Sequence, residues 1–142
     1  MNHTAAPDDR AFAIDFSECR VPAASFDHAA HLRLAYVYLC DLPPLAAAVK
    51  IKQDLLRFLD HLGIDRAKYH ETLTTAWTLA VDYFMSRTTA CDSAAQFIAR
   101  NPELLDTQIM LTHYTKDLLF SSAARAAFVA PDIQSIPPPQ AA

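Results

Sequence analysis

The sequence predicts an all-α protein, a compact bundle of five to seven helices. Three observations carry this expectation. The chain has a single glycine, Gly63, in 142 residues, whereas the primed turns that join hairpin strands favour glycine. Alanine and leucine, the best helix formers among the apolar residues, are abundant. Hydrophobic residues make up 52% of the chain and charged ones 20%, enough to build a core in one domain without disulfides or structural metal.

The elements follow in order. Residues 1–8 read as a disordered tail, and "DRAFAIDFSE" as a short first helix that ends before Val21 and Pro22. Ser25 can cap a helix running from about residue 26 to Asp41. Pro43 and Pro44 break the chain and open "PLAAAVKIKQDLLRFLDHL", with proline in the first turn where its missing N–H costs nothing. Gly63 ends that helix as a left-handed cap. Asp65 can cap a third long helix over about residues 66–88. Asp92 or Ser93 opens a short helix through Arg100. Asn101 and Pro102 start a helical stretch towards His113, and Ser121 or Ser122 caps a last helix, "AARAAFV". "APDIQSIPPPQAA" is expected to be extended. The resulting division is a disordered tail over 1–10, one helical domain over 11–130 and an extended Pro-rich tail over 131–142. The expected core contains Phe26, Leu32, Leu39, Leu55, Phe58, Leu73, Trp77, Phe84, Phe97 and Leu111.

Composition also excludes function classes. One glycine cannot build a phosphate-cradling loop or a dinucleotide fingerprint. The net charge of −4, with no basic stripe, argues against nucleic acid as a partner. No apolar run approaches a membrane span. The opening "MNHTAAPDDR" lacks the cationic start and apolar centre of a secretory signal, so a cytoplasmic location is expected. Cys19, Cys40 and Cys91 form no CxxC pair, which leaves free thiols as the expectation rather than a zinc ribbon or redox site.

Chemistry is concentrated in the histidines. In "FDHAAHLRLAYVYL" His28 and His31 stand one helical turn apart. At about 100° per residue both fall on the half of the helix that carries Leu32, Ala35 and Leu39, with Arg33 on the solvent side. In "KYHETLTTAW" His70 shares a face with Trp77, Val81 and Phe84 and is expected to point inward. Glu71 shares the other face with Thr75, Thr78 and Asp82. His113 has Ile109 and Met110 at helical spacing, with Tyr114 beside it. His3 lies in the tail, and His61 suits the C-terminal carbonyls of its own helix.

Inward imidazoles on several segments point to a divalent transition metal, iron, copper or zinc. The expected ligands are His28, His31, His70 and His113, with Glu71 the alternative fourth. Glu71 would act as a base through water and Tyr114 as a hydrogen-bond or proton donor. Thr72 and Thr74 would orient the ligands, and Tyr69 would line the same pocket. The competing reading makes each histidine a satisfied core residue or a helix cap.

The ensemble "FDHAAHLRLAYVYL", "KYHETLTTAW", "NPELLD", "HYTKDLLFSSAAR" and "FVAPDI" resembles a group of small bacterial all-helical proteins, over most of residues 16–137. The resemblance implies a self-contained helical unit and no particular activity. Function is therefore expected to be that of a metal-dependent enzyme acting on a small molecule, hydrolytic or oxidative. The alternatives are a non-catalytic small-molecule or metal-binding module, and an interaction protein whose exposed apolar surface binds a partner or, as a homodimer, itself.

Overall fold

The central helix is apolar nearly all round because it is enclosed nearly all round. In the computed structural model, which describes residues 2–136, this helix is the second of seven: α1 (Pro7–Ser17), α2 (His28–Asp41), α3 (Pro44–Leu62), α4 (Glu71–Ser86), α5 (Ala94–Arg100), α6 (Lys116–Leu119) and α7 (Ser122–Ala126). Four 3-10 segments, Ala23–Ser25, Arg66–Lys68, Pro102–Leu105 and Thr107–Thr112, connect them, and no strand occurs among the described residues. Helix α2 packs against α1, α3, α4 and α5. Five consecutive residues, Leu34 to Tyr38, are buried on it, the pattern of an interior helix. The fold is all-α, as the sequence predicts. No helix among the described residues is long and apolar enough to cross a membrane.

Caps set the ends of these helices. Asp27, not Ser25, caps α2: its carboxylate accepts from Ala30 N at 2.9 Å, while Ser25 closes a 3-10 turn. An ionised side chain there also suits the positive end of the helix dipole. Pro44 opens α3 and Gly63, at φ 69°, closes it, both as expected.

Two further expectations fail. The third long helix does not start after Asp65. Asp65 caps only the turn Arg66–Lys68, Tyr69 and His70 are extended, and α4 begins at Glu71. Nor do residues 2–10 form a loose tail. The His3 ring bridges Met85 O at 2.7 Å and Cys91 N at 3.1 Å, and Tyr36 donates to Thr4 O at 2.7 Å. Helix α1 then starts at Pro7. Buried Asp9 fastens it, accepting from Ala6 N, Ala94 N and Arg33 Nε. Burial opposes charge on Asp9, but these donors outweigh it and hold the carboxyl below its usual range. At the other end, Ile133 N donates to His113 O and Asp132 accepts from Thr115. The part of the expected Pro-rich tail over 137–142 lies outside the described residues.

The core is partly the expected one. Leu32, Phe58, Trp77 and Phe97 are buried. Phe26, Leu39, Leu55, Leu73, Phe84 and Leu111 are half-buried against it. Four of these six, Phe26, Leu55, Leu73 and Leu111, stop short of full burial because they face a cavity. Their core-like spacing is real, but no side chain comes from the opposite side to cover them.

Candidate functional site

That cavity has a volume of about 620 Å³, within the usual size of a small-molecule pocket. It opens between the first turn of α2, the second half of α3, the first half of α4 and the segment around Met110 and Leu119. Aromatic side chains hold its walls. Phe26 stacks on Phe16 with ring centroids 4.2 Å apart and lies 5.9 Å from Phe58. Trp77 meets the His28 ring edge-on at 4.5 Å. Leu62, Ile64 and Phe120 remain exposed at the rim.

The inward phases of three histidines are correct: His28, His31 and His70 all line this cavity. Their nitrogens are differently engaged. His28 Nε2 donates to Leu104 O at 2.9 Å. His70 is the N-cap of α4. Its Nδ1 accepts from Leu73 N at 3.1 Å, so Nε2 carries the proton and donates to Leu119 O at 2.7 Å. Burial lowers its pKa, which keeps the ring neutral in this role. His31 alone is left over. Its Nε2 is buried with no hydrogen-bond partner, and burial, reinforced by neighbouring His28, pushes its pKa down to about 4.

A metal needs lone pairs pointing at one spot. Both His70 nitrogens are already committed: ligation through Nδ1 would cost α4 its cap, and ligation through Nε2 the tie to Leu119 as well. His113 does not line the cavity; its Nδ1 donates to Gln134 O at 2.8 Å. Among the described residues no group of three or more His, Cys, Asp or Glu is arranged to hold a metal ion. His28, His70 and His113 each hold a backbone carbonyl instead.

The expected catalytic pair is also apart from the cavity. Glu71 faces a shallow pocket on the outer side with Arg66 and Arg125, and its carboxylate pairs with Lys52 Nζ at 2.9 Å. Tyr114 is fully buried and donates to Val129 O at 2.7 Å, and burial pushes its pKa up to about 12. Its proton secures the C-terminal segment. Thr72 donates to Ala127 O and Thr74 to His70 O, so both hold backbone rather than orient ligands.

Tyr69 does line the cavity, as expected. Its hydroxyl is buried, and burial, with the Glu71 carboxylate nearby, raises its pKa. The half-buried walls Phe26, Leu55 and Leu111 were legible only as core, since a cavity wall and a packed core share one hydrophobic periodicity. No family model, curated protein or solved structure matches this chain.

Proposed function

We propose that this chain is a small-molecule-binding module that takes a largely apolar ligand into the histidine-lined cavity. The observation that carries this reading is the cavity of about 620 Å³ itself, walled mostly by apolar and aromatic side chains with His28, His31 and His70 among them. Large apolar pockets with few convergent polar groups are the usual form of such sites. A metal-dependent enzyme is the weaker reading, because ligation by His70 would displace at least its cap on Leu73 N.

The test uses Trp77, the single tryptophan of the chain, which stands in the cavity wall. Diphenylhexatriene, an uncharged apolar dye, is expected to show saturable emission on excitation of Trp77, at one dye per chain. Emission that fails to appear, or rises without saturating, overturns the reading.

A further inference from the structure

The cavity keeps its apolar and polar surfaces apart. Phe26, Leu55, Leu73 and Leu111 are half-buried in its wall, and the apolar surface runs out to exposed Leu62, Ile64 and Phe120 at the rim. The deeper polar atoms offer a guest little. His28, His70 and Thr74 are bonded to backbone, and His31 Nε2 and Tyr69 Oη are buried. Three polar side chains of the wall remain available, Lys68, Thr107 and Gln108. All three are exposed, which puts them at the opening. Among the described residues their side chains make no hydrogen bond or ion pair.

The charge at that opening has one sign. Lys68 is the one charged side chain among the described residues that line the cavity. The cations near it in sequence and space are neutralised, Arg66 by Asp60 and Lys52 by Glu71. Asp65 and Asp106 are turned to backbone, accepting from Ala67 N and Gln108 N, and neither lines the cavity.

We propose that the ligand is a single-chain amphiphile with an anionic head, the class of a fatty carboxylate, bound tail first. Its hydrocarbon chain lies against Phe26, Leu55, Leu73 and Leu111, and its head stays at the mouth beside the Lys68 ammonium. This rests on the cavity-binding reading above and names the ligand class for the same site. Each methylene moved out of water adds to affinity. The head keeps its hydration at the mouth, whereas inside it would lose water and meet no opposite charge. Thr107 and Gln108 carry donors for its oxygens.

Displacement of bound diphenylhexatriene tests this with decanoate, decylammonium, 1-decanol and butanoate, each kept below the concentration at which it forms micelles. If the dye itself does not bind, the cavity reading fails and this inference with it. If it binds, decanoate is expected to displace it at lower concentration than decylammonium, and butanoate, a head without the tail, to displace none. In Lys68→Gln decanoate should weaken about threefold, the scale of an exposed ion pair, while 1-decanol is unchanged and reports that the variant is folded. In Lys68→Glu decylammonium should become the tighter of the two ions. Should both variants fail to fold, the ranking on the wild type decides. Decylammonium equal to or tighter than decanoate on the wild type overturns the anionic head, and so does decanoate unchanged in Lys68→Gln. Butanoate as effective as decanoate overturns the tail-first arrangement. Failure of decanoate to displace the bound dye overturns the proposal while leaving the cavity reading in place.

Discussion

The imidazole of His70 ties the start of α4 to the carbonyl of Leu119: Nε2 donates to Leu119 O at 2.7 Å, across 49 positions of sequence. The same ring caps α4 through Leu73 N. A side chain expected to ligate a metal is instead a structural joint between the long helices and the C-terminal third of the chain.

Replacing His70 separates its two bonds. Asparagine is a good N-cap and keeps the bond to Leu73, whereas alanine keeps neither. Losing a cap costs about 1 kcal/mol, and an unpaired buried carbonyl costs about 1–3 kcal/mol. His70→Ala is therefore expected to destabilise more than His70→Asn, by roughly the cap value. Urea unfolding of the two variants checks this, and equal midpoints would deny His70 its capping role.

His31 makes stability depend on pH in a defined window. Its ordinary pKa of 6.5 is held down to about 4 in the fold. Between those values the unfolded chain takes up a proton that the folded chain refuses, so this contribution is complete above about pH 6.5 and is lost as pH falls towards 4. The full loss is on the order of 3 kcal/mol. Lowered in the same direction, His70 adds to it. Unfolding of the wild type and of His31→Phe between pH 7 and 4 should diverge, with the wild type losing stability more steeply. Parallel curves would mean that the His31 ring reaches water.

Metal addition discriminates between the readings of the histidines. A ligand that binds only the native state stabilises it by about 4 kcal/mol at a thousandfold excess over its dissociation constant. With both nitrogens of His70 occupied and His113 elsewhere, zinc, copper and iron are expected to leave the melting temperature of untagged protein unchanged, with and without chelator. A chelator-reversible rise that disappears in His31→Leu would restore the metal site.

Cys19 occupies a place normally held by glycine. It stands at φ 61° just after α1, where Arg20 N reaches back to Asp15 O at 2.7 Å. A side chain in the left-handed region costs about 1–2 kcal/mol, and glycine there costs less. Cys19→Gly is expected to raise stability by about 1 kcal/mol, after the greater freedom of glycine in the unfolded chain is subtracted. A lower melting temperature in the variant would contradict this.

Local chemistry was legible in the sequence because it acts over one turn. Proline at the start of α3 and glycine at its end, serine before α5 and the inward phases of His28 and His31 each depend on neighbours three or four residues away. The missed break before α4 shows where that logic stops. No proline or glycine interrupts "DRAKYHETL", and the helix restarts at Glu71 because the His70 ring caps it while holding Leu119.

The sequence by itself determined that this chain is helical, that three histidines turn inward, and that Glu71 turns away from them. The tertiary structure alone decided what those histidines do. Periodicity fixes the direction of a side chain from its own helix, but the use of its nitrogens depends on which atoms arrive from elsewhere. The carbonyl of Leu104 reaches His28 from 76 positions away and that of Leu119 reaches His70 from 49. None reaches His31. Packing of distant segments therefore turned one imidazole into a wall fixture, a second into a cap, and left a third with a buried nitrogen unpaired among the described residues.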